Sequence, residues 1–337
     1  MAPLLEANKI SKEYVSGTFI KNRNLALRDI TFSIDEKPPT ITAIAGESGS
    51  GKTTMARLLA GILEKSSGEI LYKGKPINRM NSEEKLTFRK EVQTIFQDPF
   101  EVYNPFYKVD HVLTTPLKKY GITSNKSDSN KMILAALEEV GLRPDETLGR
   151  FPHQLSGGQR QRIMVARAFL LRPKIIIADE PVSMVDASLR ATILEELKLL
   201  REKHGISIIY ITHDLTTAYQ VADNILILYK GQVVEAGEVE YVINDPKHPY
   251  TKLLVDCIPE PNPDVKWGNS NKSTNIESRI PKECNNNCLF CIRDGNTDSL
   301  TPMYQVNKTR TVSCISYNKS KICKNENISS YFLKPKF

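Results

Sequence analysis

No apolar run in the 337-residue sequence approaches the roughly 18 residues that a membrane-spanning helix needs. The strongest runs, Ile206 to Ile211 and Ile225 to Tyr229, are short and strand-like. The chain is therefore not expected to cross a bilayer. Its start, Met1 to Ile10, lacks the basic stretch followed by an apolar one that marks a secretory signal, which predicts a cytoplasmic protein. Cysteine is scarce until late: only Cys257 precedes Cys284, and the other five of the six lie in the last 54 residues. In a reducing compartment that distribution favours a metal site over a disulfide framework. A strong charge imbalance is also missing. The net charge is +7, and the segment after Pro259, with twelve basic and seven acidic residues, carries +5 of it. The remaining chain is close to neutral, so no nucleic-acid partner is expected.

What is present is an ordinary globular composition, 40% apolar and 25% charged, at a length sufficient for two domains. Short alternating runs from about Leu4 end in the buried-strand pattern Thr40 to Ala45. The pattern predicts helices over Thr53–Leu63, Asn81–Lys90, Lys131–Val140, Gln159–Leu171 and Ser188–Lys203. Buried strands are expected over Lys174–Ala178 and Ile206–Ile211. Alternating strands and helices with continuous apolar strands indicate an α/β fold whose parallel sheet is covered on both faces. The stretch from about Asp98 to Ser156 reads as a helical subdomain, with Asp98 to Pro116 rich in loop signals. From Pro259 onward twelve asparagines and few apolar residues mark a linker and a small appended region. Domain bounds of 1–258 and 259–337 follow. The second region buries too little to fold by packing alone, which makes a metal staple physically attractive.

Residues 46–53 read G-E-S-G-S-G-K-T between a buried strand and a helix, the setting in which this pattern works as a phosphate-binding loop. Gly46, Glu47, Ser48, Gly49, Ser50 and Gly51 bring backbone N–H groups to the phosphates, and the following helix points its positive end at them. Lys52 reaches the outer phosphates. Thr53 supplies a hydroxyl to Mg²⁺, with Thr54 beside it. The strand Lys174–Ala178 ends in adjacent carboxylates, Asp179 to hold Mg²⁺ and Glu180 to polarise an attacking water. Between these motifs, residues 155–159 read L-S-G-G-Q, in which Ser156 and the amides of Gly157 and Gly158 open the helix starting near Gln159 and offer a second anion site.

That run, placed between a phosphate loop and a strand-end carboxylate pair, resembles the signature of the ATP-binding-cassette (ABC) ATPases. The resemblance covers about Leu4 to Ala236. It implies a P-loop cassette with a parallel sheet core, an N-terminal antiparallel β subdomain and a helical signature subdomain. It also implies ATP and Mg²⁺ as ligands and a head-to-tail dimer, in which Ser156 to Gln159 of one subunit close over ATP held by the partner's loop. Position by position, Gln97 matches the glutamine that touches Mg²⁺ and the attacking water. His213 matches the switch histidine at the γ-phosphate, and Asp186 the loop linking the two sites. Tyr14 matches the aromatic that stacks on adenine, with Phe19 as the alternative.

Residues 245–254, D-P-K-H-P-Y-T-K-L-L, resemble the segment that follows the cassette in oligopeptide and dipeptide importers and their nickel and sugar relatives. Residues 97–100 and 179–183 resemble the second of the two paired ATPases of such importers. The resemblance implies a paralogous ATPase partner, two membrane permease subunits and an external solute-binding protein, with this chain peripheral on the cytoplasmic face. Peptides are the leading solute, ahead of oligosaccharides and nickel. A soluble ATPase of this class acting on ribosomes or DNA is the alternative outside transport. In the tail, Cys284, Cys288, Cys291 and Cys314 supply four thiolates, enough for a [4Fe-4S] cluster or a zinc ion. Importers of this group resemble the chain in carrying a cysteine-bearing C-terminal extension.

Overall fold

A computed structural model describes residues 2–17, 22–98, 103–123, 125–258 and 303–314. In chain order the strands are β1 (Leu5–Ser16), β2 (Asn22–Ile34), β3 (Ile41–Ala45), β4 (Ser67–Tyr72), β5 (Lys75–Pro76), β6 (Val92–Ile95), β7 (Ile175–Asp179), β8 (Ser207–Thr212), β9 (Asn224–Tyr229), β10 (Gln232–Glu238), β11 (Tyr304–Asn307) and β12 (Arg310–Val312). The helices are α1 (Lys52–Leu59), α2 (Ser82–Glu91), α3 (Asp110–Lys119), α4 (Lys126–Glu139), α5 (Pro144–Thr147), α6 (Gly157–Leu170), α7 (Ala187–His204), α8 (Leu215–Val221), α9 (Val239–Asn244) and α10 (Pro249–Asp256).

Two sheets form. The larger runs β11-β12-β10-β9-β3-β8-β7-β6, parallel from β9 to β6 and antiparallel from β9 through β10 and β12 to β11. The smaller is antiparallel, in the order β2-β1-β4-β5. Side chains of the central strands alternate between two cores, as the two-residue period of a strand requires. Ile208 and Tyr210 of β8 pack with α6, α7 and α8, whereas Ile209 and Ile211 face α1 and the smaller sheet. The C-terminal ends of β3, β7 and β8 therefore open onto one edge, where α1 also begins.

The helical subdomain gathers Leu113 and Leu117 of α3, Ile133 and Leu137 of α4 and Ile163 and Met164 of α6 into the first of these cores. Its packing thus extends past Ser156 into α6. Helix α3 also runs through Pro116 in a stretch whose composition suggested loop. Leu113, Pro116 and Leu117 are all buried there, so tertiary packing outweighs the missing N–H. Helix α4 begins five residues before the apolar spacing does. Asn125 caps it by accepting the Ser127 N–H at 2.9 Å, and its first turn is polar.

The tail departs most from expectation. The hairpin β11–β12 joins the larger sheet, with Glu235 opposite Val312 and Ala236 opposite Thr311. Part of the appended region is thus folded against the main body of the chain. Strands of four and three residues carry too short a pattern to be read from sequence.

Candidate functional site

The loop from Gly46 to Gly51 leaves β3 and enters α1. Its glycines are required by geometry at two places. A side chain on Gly46 would put its Cβ 2.2 Å from the Leu228 carbonyl oxygen, and one on Gly51 would meet the Ala26 carbonyl oxygen at 2.6 Å. Lys52 turns back over the loop and donates from Nζ to the carbonyls of Gly46 and Glu47, each at 2.8 Å. Burial lowers its pKa, opposed by the negative charges of Glu180, Asp179 and Glu47.

Beside the loop, β7 ends in Asp179 and Glu180. Asp179 is buried and hydrogen-bonded to Thr53, while its Oδ1 has no hydrogen-bond partner. Burial raises its pKa; the bond from Thr53 and the positive charges of Lys52 and Arg57 oppose that shift, and the charge of Glu180 adds to it. A buried carboxylate oxygen without a donor, next to a threonine hydroxyl, is a donor set suited to a hard divalent cation. Glu180 sits at φ 48°, in the left-handed region that a non-glycine residue enters only at a cost. Its backbone N–H is held by the Ile211 carbonyl at 2.9 Å. Its carboxylate accepts from Gln97 Nε2 at 3.0 Å on Oε2, and His213 Nδ1 lies 3.0 Å from Oε1.

One cleft of about 760 Å³ is lined by Tyr14, Glu47, Ser48, Gly49, Gly51, Lys52, Thr53, Thr54, Gln97, Glu180 and His213, with Asp179 outside its lining. Tyr14, 41% exposed, closes one end with its hydroxyl 3.4 Å from Thr54 Oγ1. Gly46 and Ser50 shape the loop from beneath, Ser50 with its hydroxyl buried and without a hydrogen-bond partner. Ser156, Gly157, Gly158, Gln159 and Asp186 do not line this cleft. Ser156 and Gln159 instead form a reciprocal cap on α6: the Gln159 N–H donates to Ser156 Oγ at 3.2 Å and the Ser156 N–H to Gln159 Oε1 at 2.9 Å. Gly158 lies close against α7: a Cβ there would sit 2.5 Å from Leu189 Cδ1, so that side chain would have to shift to admit one. Asp186 caps the start of α7 by position, without a side-chain hydrogen bond to it.

The sequence reading missed one contact in this region. The Glu47 N–H donates to the hydroxyl of Tyr250 at 3.0 Å, so the segment around residue 250 touches the loop directly. Nothing in its sequence marks that contact, because the two residues are 203 positions apart.

Phe19, Cys284, Cys288 and Cys291 lie outside the described residues. Cys314 is described and is buried just beyond β12. Among the described residues no group of three or more His, Cys, Asp or Glu side chains is arranged to hold a metal, and no helix is long and apolar enough to cross a membrane.

Residues 27–183 match the family model for ABC transporters, and residues 234–293 match that for the oligopeptide/dipeptide transporter C-terminal region. The oligopeptide transport ATP-binding protein OppF of Haemophilus influenzae is 36% identical, over 93% of this chain and 96% of its own. The chain belongs to the ABC transporter family. Within that family the dipeptide transport ATP-binding protein DppF of Haemophilus influenzae is 39% identical, over 84% of this chain and 86% of its own. An ABC cassette solved as a dimer in a post-hydrolysis state with ADP and phosphate superposes with a TM-score of 0.62 at 26% identity, covering 70% of this chain and 98% of that one. As an ABC transporter ATPase the chain binds ATP with Mg²⁺ and hydrolyses it.

Proposed function

We propose that this chain is one of two paired ATPases energising an importer of oligopeptides or dipeptides. The hydrolysis in this reading is carried by the arrangement of Glu180, whose carboxylate is shared by Gln97 and His213 in the same cleft as Lys52 and the amides of the phosphate loop, and the peptide solute is supported by the match of residues 234–293. The loop amides and Lys52 hold the phosphates, and Tyr14 stacks on the base. Thr53, Asp179 and Gln97 would hold Mg²⁺, which when bound would supply positive charge to offset that of the phosphates. Glu180 polarises the attacking water, with Gln97 and His213 fixing the direction of its carboxylate.

Ser156 to Gln159 face a different nucleotide in this reading, the one held by a paralogous ATPase, and Asp186 links the two shared sites. Two permease subunits and an external solute-binding protein complete the assembly, with this chain peripheral on its cytoplasmic side. The exposed pair Phe106 and Tyr107, 87% and 52% accessible ahead of α3, is the surface assigned to the permease. Cys284, Cys288, Cys291 and Cys314 hold a structural [4Fe-4S] cluster, zinc being the alternative; ligation there would add folding free energy to what burial of the β11–β12 hairpin supplies.

The test is reconstitution with the permease and binding protein in vesicles: peptide outside should raise ATP turnover inside, and no stimulation by any peptide would refute the assignment. Protein purified without oxygen should carry about four irons per chain. One zinc per chain would select the alternative, and metal-free protein with a folded tail would exclude both.

A further inference from the structure

We propose that Tyr250 is a positioning residue of the phosphate loop, itself held in place by a buried ion pair contributed by the C-terminal hairpin. The inference rests on the ATPase reading above and adds to it a residue and a control element outside the motifs.

Glu47 is the pivot. Its N–H donates to the Tyr250 hydroxyl at 3.0 Å, while its carbonyl accepts Lys52 Nζ at 2.8 Å and the Ser50 N–H at 3.2 Å. Residue 47 is therefore pinned from both sides, by the phosphate-binding lysine on one and by Tyr250 on the other. The neighbouring Gly46 is wedged against the Leu228 carbonyl, and the next residue of β9, Tyr229, packs its ring 4.3 Å from that of Tyr250. Tyr250 is only 2% exposed, so its ring is fixed where it meets Glu47.

Tyr250 is fixed in turn. Its N–H donates to His248 Nδ1 at 3.1 Å, and the His248 N–H donates to Glu235 Oε2 at 2.9 Å. The Lys247 N–H reaches Glu235 Oε1 at 3.0 Å. Glu235 is fully buried, and its counter-ion is Arg310 of β12, with Nη2 at 2.5 Å and Nε at 3.1 Å from Oε1. Arg310 also donates to the Asp245 carbonyl. A continuous chain of hydrogen bonds thus runs from the tail hairpin through Glu235, His248 and Tyr250 to the backbone that carries Lys52's acceptor. A carboxylate buried this deeply is costly without its cation, so docking of the hairpin bears on the geometry of the loop.

The experiment uses the full-length chain and MgADP, measured by titration calorimetry with thermal unfolding alongside. Tyr250→Phe keeps the ring and removes the hydroxyl. It should weaken MgADP about five- to tenfold, the effect of one part-buried N–H left without its partner, and raise KM for ATP with kcat within about twofold. Tyr103→Phe removes the hydroxyl of another buried tyrosine, one that donates to the Arg160 carbonyl at 2.9 Å, and should leave MgADP affinity unchanged. The paired change Glu235→Gln with Arg310→Gln removes both charges together; it should weaken MgADP in the same direction, and adding Tyr250→Phe should give less than the product of the two effects. Wild-type affinity in Tyr250→Phe would overturn the inference and leave the ATPase reading standing. A wild-type chain that bound no MgADP would overturn that reading, and the inference with it.

Discussion

His213 Nδ1 lies 3.0 Å from Glu180 Oε1, while the other oxygen of the same carboxylate is taken by Gln97 at 3.0 Å. Both partners arrive from different strand ends, so the carboxylate is aimed by the sheet rather than by its own flexible stem. An amide at this position would turn one acceptor oxygen into a donor facing His213 or Gln97. Glu180→Gln should therefore lower ATP turnover at least about 100-fold while leaving Mg-ATP binding within a few-fold, because Lys52, Thr53 and Asp179 are untouched. Turnover in vesicles and equilibrium binding measured on one preparation check the two halves; near-normal turnover would remove Glu180 from its assigned role.

A second expectation concerns assembly. Ser156 and Gln159 satisfy each other at the start of α6, and the reading above gives them a phosphate only across a subunit interface. Glu180→Gln, supplied with its partner ATPase, should sediment as separate subunits without nucleotide and as a dimer with Mg-ATP. Sedimentation that ignores Mg-ATP would contradict the shared-site arrangement.

The glycines of the loop differ in what they tolerate. At Gly46 a Cβ would collide with backbone, the Leu228 carbonyl oxygen at 2.2 Å, whereas at Gly49, φ +81°, a Cβ meets nothing within 4 Å. Gly46→Ala must displace the loop and should abolish measurable nucleotide binding. Gly49→Ala meets only the left-handed backbone cost, about 1–2 kcal/mol, and should retain binding with affinity lowered by roughly tenfold. Equal effects of the two changes would show that the Leu228 contact does not shape the loop.

How much of this was legible beforehand depended on pattern length. The run from Gly46 to Thr53, the strand ending at Asp179 and the helix opening at Ser156 each combine a local motif with a continuous apolar or helical period, and the structure assembles the first two around one cleft. Helix α3 was obscured by Pro116, and the first turn of α4 by its polarity. The β11–β12 hairpin was invisible because three or four residues hold no period. Tyr250 was noticed only as part of a family-marking segment: a contact spanning 203 positions, made to a backbone N–H, leaves no trace in residue type.

Glu196 gives the chain a pH-dependent weakness away from the cleft. It is buried on α7, both carboxylate oxygens lack hydrogen-bond partners, and Arg162 is the charge that opposes its neutralisation. Burial is the dominant influence and pushes its pKa up to about 8 from 4.5. A carboxyl whose pKa rises on folding binds its proton more tightly in the native state, so its contribution to stability is complete below the unfolded value. That contribution is lost as pH climbs from about 4.5 through 8. Glu196→Gln keeps the shape and removes the titration. Relative to wild type it should melt higher at pH 8, by about 2–4 °C if 1 kcal/mol is recovered, with the advantage vanishing near pH 5. Thermal unfolding of both proteins at pH 5, 6.5 and 8 decides the matter. Melting curves that stay parallel across that range would mean that Glu196 is ionised and satisfied in the native protein.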